Sequence, residues 1–172
     1  MNQPVSFERW DLYDADRCLT GESHIRGQQI PDGRYHIAVH VWIYNSKGQF
    51  LISQRAASRP VYPLFWETTG GSVTQGEDSL TGAIREAMEE VGVTLDPAQG
   101  RLLESRRRDH YRDFLDIWIF PCNDGPHLDR AETPDVDTIG CFVYPQMDVV
   151  GVALASSVER YEKTAAAAFH FQ

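Results

Sequence analysis

The chain has 172 residues, and at roughly 150 residues per domain that points to one domain over 1–172. Hydrophobic residues make up 42% and charged residues 24%, a globular balance that excludes collagen-like, coiled-coil and extensively disordered chains. With 25 acidic against 16 basic residues the formal charge is −9, which argues against a sequence-independent grip on a nucleic acid polymer or an anionic membrane.

Met1 to Trp10 has neither the basic start nor the apolar run of a signal peptide. The most apolar stretch, Ile37 to Tyr44, is interrupted by His40 and is far shorter than the roughly 20 residues that span a bilayer. Cys18, Cys122 and Cys141 are widely spaced and form no CxxC pair, so neither a disulfide framework nor a structural zinc is expected. A cytoplasmic protein in a reducing compartment is the expectation.

In chain order, Trp10 to Tyr13, a turn at Asp14-Ala-Asp16 and an extended segment around Thr20-Gly21 predict a hairpin, so residues 1–35 read as an N-terminal hairpin extension. His36 to Tyr44 alternates, with Ile37, Val39, Val41 and Ile43 on one face, and Asn45-Ser-Lys-Gly48 turns it into a second strand at Gln49 to Arg55. Arg59-Pro-Val-Tyr-Pro63 reads as a loop leading to Trp66-Glu-Thr-Thr69 and the Gly70-Gly71 pair. Leu80, Ala83, Ile84, Ala87, Met88 and Val91 then form the apolar stripe of an amphipathic helix, capped by Asp78 or Ser79 and ended by Gly92. Arg101 to Arg108 and Phe114 to Phe120 predict two strands around Asp109-His-Tyr-Arg112. Asp124-Gly-Pro predicts a turn, Asp137 to Tyr144 a further strand, and Ala165 to Ala168 the end of a helix. This order is mixed α/β.

At about 100° per residue, Glu86, Glu89 and Glu90 fall within a sector of roughly 100°, on the helix face opposite the apolar stripe. Like charges packed this closely repel by a few tenths of a kcal/mol per pair unless a positive group sits among them. A hard divalent cation suits them, because Mg²⁺ is commonly held by one or two carboxylates together with substrate phosphates. A merely solvated acidic face is the plain alternative.

The surroundings of the helix decide between these. From Gly71 the chain reads Gly71, five residues, Glu77, seven residues, then Arg85-Glu86-Ala87-Met88-Glu89-Glu90-Val91-Gly92-Val93. This resembles the Nudix box, the signature of the Nudix hydrolases, with Gly71, Glu77, Arg85, Glu86, Glu89, Glu90 and Gly92 all in place. Seven fixed positions at roughly 6% each make a coincidental match anywhere in the chain on the order of one in a few million. Ala87 departs from the pattern, standing where a larger aliphatic residue is usual. The resemblance runs from about Trp10 to Val93 and fades beyond about Pro121.

The resemblance implies a Nudix fold, an α/β/α sandwich around a mixed β-sheet. It also implies a pyrophosphohydrolase that cleaves a phosphoanhydride in a nucleoside diphosphate linked to another moiety, or in a similar diphosphate. Glu86, Glu89 and Glu90, with the Gly71 carbonyl, would hold Mg²⁺ or Mn²⁺. Arg85 would orient the glutamates, in concert with Glu77, and Glu89 or Glu90 would accept the proton of the attacking water. Arg55 would contact a phosphate and Trp66 would wall a base pocket, with a surface role and simple packing as their respective alternatives. The partner expected is a small-molecule diphosphate, and since dimers are common in the family a homodimer is left open.

Three further groups of residues carry chemistry. Arg101, Arg106, Arg107, Arg108 and Arg112 form a basic cluster that could steer an anionic substrate or simply line a solvated rim. His36 and His40, about 13 Å apart along one strand face, cannot chelate one ion together. Asp113, Asp116, Glu132 and Asp135 are the downstream acids that could add a ligand or base.

Two other readings compete. Tyr35-His36-Ile37-Ala38, Ser46-Lys47-Gly48 and Gln54-Arg55-Ala56 also resemble the isopentenyl diphosphate isomerases of the same superfamily, for which His36 would bind metal. Those enzymes need a cysteine and a histidine just before the helix, and Thr68 to Val73 supplies neither. A non-catalytic nucleotide-sensing module would retain the fold and bind a diphosphate uncleaved, but such modules usually lose box carboxylates that this chain keeps.

Overall fold

The computed structural model of the protein describes residues 8–58, 63–124 and 127, together with the backbone of 136–143. Strands β1 (Arg9–Tyr13) and β2 (Leu19–Ile25) pair as the predicted hairpin. They are followed by β3 (His36–Tyr44), β4 (Gln49–Arg55), β5 (Trp66–Glu67), β6 (Thr69–Ser72), helix α1 (Ser79–Val91), a 3₁₀ turn at Pro97–Gln99, β7 (Arg101–Arg108), β8 (Asp113–Pro121) and β9 (Val136–Val143). Among the described residues no helix is long and apolar enough to cross a membrane.

The main sheet is mixed. β3 runs parallel to β8 over its whole length, and β8 pairs antiparallel with β7. On the other side β3 pairs with β4 only at Ile43↔Leu51 and Tyr44↔Phe50, and the two strands then diverge. The segment 66–72 fills that opening, pairing first with β4 as β5 and then with β3 as β6. The outer edge of β4 is covered by β9. This split matters for function, because it sets the Gly70-Gly71 pair inside the sheet, directly beneath α1.

Alternation gives the sheet two apolar faces. Ile37, Val39, Val41, Ile43, Leu51, Phe114 and Phe120 pack against Ala83, Ala87 and Val91 of α1 and against Val93 and Leu95 beyond it. Trp42, Phe50, Ile52, Leu115, Ile117 and Ile119 form a second cluster on the opposite face. The helix predicted near Ala165 to Ala168 lies outside the described residues, and the Asp124-Gly-Pro turn lies mostly outside them.

The ends of α1 are built as the sequence predicts. Asp78 caps it, accepting from the Thr81 backbone N–H at 2.8 Å, and Gly92 closes it at φ 66°, donating to the carbonyls of Ala87 and Met88. Its rotation differs from the prediction. The buried positions are Gly82, Ala83, Glu86, Ala87 and Val91, so the carboxylate edge turns toward the sheet instead of away from it. Residues without side chains make this approach feasible. A Cβ added to Gly71 would lie 2.3 Å from Glu86 Oε1, and one added to Gly82 would lie 2.9 Å from a Val73 methyl.

Candidate active site

Helix α1, strand β6 and the end of β4 enclose a cavity of about 180 Å³. Gly70, Gly71 and Ser72 form its floor, and Arg85, Glu86, Glu89 and Glu90 descend from the helix. Arg55 approaches from β4, while Glu8 and Arg26 enter from the N-terminal hairpin. No aliphatic or aromatic side chain is among these described lining residues.

Arg85 organises the carboxylates. Its Nε donates to both oxygens of Glu77 at 3.0 and 3.2 Å. Its Nη1 donates to Glu86 Oε1 and to Glu89 Oε2, each at 3.0 Å, and its Nη2 to the Ser72 carbonyl at 2.9 Å. One planar guanidinium therefore ties the loop before α1, the strand and the helix together through charge-assisted bonds. Burial works against the charge of Arg85, but the bonds to Glu77 and Glu86 outweigh it and hold the group protonated. At Glu77 burial likewise opposes ionisation, and the bonds from Arg85 and Thr74 prevail, so its carboxyl sits below the usual range.

Glu90 is held differently. Its Oε2 accepts from the Thr69 hydroxyl and, at 3.0 Å, from the Gly70 backbone N–H. Burial, reinforced by the charge of Glu86, pushes its carboxyl up to about 8 despite those two bonds. Glu86 is buried as well. Burial raises its carboxyl, Arg85 pulls it back, and the negative charges of Glu89 and Glu8 add to the rise.

These residues suit a divalent cation in chemistry. Three carboxylates reach one cavity beside a glycine whose missing side chain leaves the backbone accessible. They do not form a ready-made cage: among the described residues no three carboxylate, imidazole or thiol groups converge as they would around a bound ion. A hard cation that takes one or two protein carboxylates and completes its shell with water and phosphate fits this arrangement better than one needing an all-protein site.

The other expected residues are distributed as follows. Arg55 lines the cavity, but its Nη1 donates to both oxygens of Glu67 at 2.7 and 2.9 Å. Trp66 packs against the second apolar cluster, on the sheet face away from the helix, and not in the cavity. This follows from alternation, since Glu67 pairs with Ser53 on one face while Trp66 pairs with Gln54 on the other. His36 stacks on Trp10 with ring centroids 4.1 Å apart and does not line the cavity. His40 has its imidazole pushed down to about 4 by burial and by Arg108 and Arg106.

The basic cluster is largely internally paired. Arg106 bonds Glu104, Arg107 bonds Asp109, Arg108 bonds Asp113, and Arg112 bonds Asp32. Of the downstream acids, Asp113 is taken by Arg108 and Asp116 by Arg17, and Glu132 and Asp135 lie outside the described residues. Cys18 and Cys122 are free thiols.

Sequence reasoning missed Glu8, Arg26 and Glu67. A weak signal for the first two existed: continuing the hairpin register by one step from Arg9↔Ile25 sets Glu8 opposite Arg26, a facing pair of opposite charge.

The chain is 39% identical over 114 residues to an uncharacterized Nudix hydrolase of Listeria monocytogenes, lmo0368, covering 65% of this chain and 66% of that protein. It is 31% identical over 98 residues to the isopentenyl-diphosphate Delta-isomerase of Escherichia coli, covering 56% of this chain and 54% of that one. The matched regions thus span between about half and two thirds of these curated relatives. Among solved structures, the crystal structure of DR0079 from Deinococcus radiodurans superposes with a TM-score of 0.67 at 22% identity, covering 91% of this chain and 98% of that one. The NUDIX domain family matches residues 34–163, well over half the sequence and the whole of the site on α1 and β6, so the chain belongs to that family.

Proposed function

We propose that the chain is a divalent-metal-dependent pyrophosphohydrolase that cleaves the phosphoanhydride of a nucleoside diphosphate linked to another moiety, with Mg²⁺ as its ion and Mn²⁺ as a substitute. The observation that carries this reading is the set of three helix carboxylates brought to one small cavity and cross-braced by Arg85. At about 180 Å³ the cavity is smaller than the roughly 300–1,000 Å³ that encloses a drug-sized ligand. It has room for a diphosphate, while the rest of the substrate stays outside.

Glu86, Glu89 and Glu90, with the Gly71 carbonyl, would hold the ion. When bound, that ion supplies charge neutralisation for the phosphate oxygens and a lowered pKa for an attacking water. The chain's own groups do the remainder. Arg85 fixes the carboxylates, and Glu90 is oriented by Thr69 and Gly70. Glu89 is the better placed of the two base candidates, because one oxygen is held by Arg85 while its side chain is 35% exposed. A carboxylate held on one side and open on the other can take the water's proton as the water oxygen bonds to phosphorus and the bridging P–O bond of the anhydride breaks, its electron pair leaving with the departing phosphate.

The isomerase reading fits less well. It requires a carbon acid–base pair that Thr68 to Val73 does not provide, and an apolar wall for an isoprenoid that the described cavity lining lacks. The sensing-module reading predicts binding without turnover. Incubating the purified chain with Mg²⁺ and a panel of nucleotide sugars, dinucleoside polyphosphates, coenzyme diphosphates, oxidised nucleotides and isoprenoid diphosphates separates the three. Phosphate-containing cleavage products that disappear in Glu90→Gln, with its fold intact, support hydrolysis. A shifted double bond, or tight binding without products, overturns it.

A further inference from the structure

The box accounts for the helix side of the cavity but not for the hairpin that closes it. Of the three arginines among the described lining residues, Arg85 donates to five oxygens on four residues and its side chain is 23% exposed. Arg55 is gripped by both oxygens of Glu67 and is 18% exposed. Arg26 differs from both in exposure: its side chain is 58% exposed, and its Nη1 donates to Glu8 Oε2 at 2.6 Å. An exposed ion pair of this kind contributes little to stability, so a stronger anion can compete for that donor.

Its position is nonetheless fixed. The backbone N–H of Arg26 donates to the Glu8 carbonyl at 2.9 Å. The other oxygen of the Glu8 carboxylate accepts from Trp10 Nε1 at 2.7 Å, and Trp10 is itself stacked on His36. The hairpin is also fastened to the segment leading into α1, through Gln75 N–H to the Arg9 carbonyl and Gly76 N–H to Asp11 Oδ2, both at 2.8 Å. A solvent-facing guanidinium is thereby held at the mouth of a carboxylate-lined cavity by a brace that does not depend on substrate.

Resting on the hydrolase reading above, we propose that Arg26 is a substrate-binding residue, donating to the phosphate oxygens of the bound diphosphate that lie farthest from the helix. Glu8 is its positioning residue, so the N-terminal hairpin is an integral wall of the site. A forked guanidinium matches two phosphate oxygens at once, which an ammonium cannot do.

The test is calorimetric binding of α,β-methylene ADP in Mg²⁺ to the full chain and to Arg26→Ala, Arg26→Lys and Arg34→Ala. Arg34 pairs with Glu22 elsewhere near the hairpin and serves as the control. Losing a charge-assisted bond to phosphate weakens binding about tenfold or more in Arg26→Ala. Arg26→Lys is expected to lose about threefold and Arg34→Ala less than twofold. In turnover assays the loss in both Arg26 variants falls on KM, with kcat nearly unchanged. Should Arg26→Ala fail to fold, as judged by circular dichroism, the Lys variant decides. If the unsubstituted chain binds the analogue and the folded Arg26 variants stay within twofold, Arg26 is not a ligand of the substrate and the proposal is overturned. If the unsubstituted chain binds no analogue at all, the diphosphate reading itself is what fails.

Discussion

Adding one methyl group at either of two adjacent glycines should have opposite consequences. Gly71 does not adopt a positive φ, so alanine fits its backbone. The added Cβ would lie 2.3, 2.4 and 2.6 Å from Oε1, Cδ and Oε2 of Glu86. Ordinary contact begins near 3.4 Å, so the carboxylate must retreat by about 1 Å, which a long flexible side chain can do at little cost to the fold. A misplacement of that size at a reacting centre lowers rates by about 100-fold. At Gly70 the same methyl would meet the Val39 carbonyl oxygen at 2.2 Å and the His40 Cα at 3.2 Å. Those are backbone atoms of the central strand and cannot step aside, so overpacking should cost about 1–3 kcal/mol or more. Thermal melts and steady-state rates in Mg²⁺ are therefore expected to show Gly71→Ala stable and nearly inactive, and Gly70→Ala clearly destabilised. A Gly71→Ala protein with unimpaired turnover, or a Gly70→Ala protein that melts with the parent, would refute the geometry on which the site is built.

Two further outcomes follow from buried charges. The Asp116 side chain is 1% exposed and held by Arg17 at 2.5–2.7 Å, with Ser105 also bonded to Arg17, so Arg17→Ala should cost about 3 kcal/mol at pH 7 in urea unfolding. Burial alone would raise the Asp116 carboxyl, but the bonds from Arg17, Ser79 and Ser105 outweigh it and hold it low. The stabilisation is thus present above the unfolded value of about 3.9 and is lost as pH falls through the folded one. The gap between parent and variant must shrink in acid, and a constant gap would contradict the assignment. For Glu90 the sign is reversed. With its carboxyl raised to about 8 by burial and by Glu86, the native chain without metal keeps a proton that the unfolded chain releases above about 4.3. Stability in chelator should decline between those values, and Glu90→Gln should be the more stable protein at pH 8.5, by on the order of a few kcal/mol. Parallel pH slopes for the two proteins would rule this out.

Local signals carried much of the fold. Asp78 and Gly92 bracket α1 because capping chemistry depends on neighbours in sequence, and Asn45 to Gly48 turns β3 into β4 for the same reason. Non-local packing was not legible. The parallel pairing of β3 with β8 brings together strands separated by all of α1, and no local pattern announces it. The rotation of α1 differs because periodicity alone sets Glu86 opposite the apolar stripe, whereas it is buried against the sheet. Its burial depends on Gly71 and Gly82 leaving space, a fact about two packed surfaces. Trp66 illustrates the reverse, since strict alternation from Arg55 and Glu67 assigns it to the far face once the β4–β5 pairing is known. The arginines from 106 to 112 left substrate steering and a solvated rim both open, although three of their partners, Glu104, Asp109 and Asp113, stand within five residues of them in sequence; only the Asp32 partner of Arg112 is set by the tertiary fold.

The charge arrangement of the cavity explains why the box needs Glu77 and Arg85 in addition to its three inner carboxylates. Glu86 and Glu89 share a single guanidinium nitrogen, and burial raises the Glu90 carboxyl to about 8 against the pull of Thr69 and Gly70. A stronger positive charge can replace this arrangement, since Glu86 and Glu89 are only partly satisfied by one shared donor. Arg85 has two anchors outside that trio, Glu77 through Nε and the Ser72 carbonyl through Nη2. Its Nη1 can therefore give up Glu86 and Glu89 while the side chain stays in position. A lysine, with one compact ammonium and no fork, could not release two carboxylates and still hold both the loop and the strand. The spacing from Glu77 to Arg85 thus does two things: it anchors the guanidinium outside the trio, and it leaves Glu86 and Glu89 on one shared nitrogen, the arrangement that the proposed cation would require.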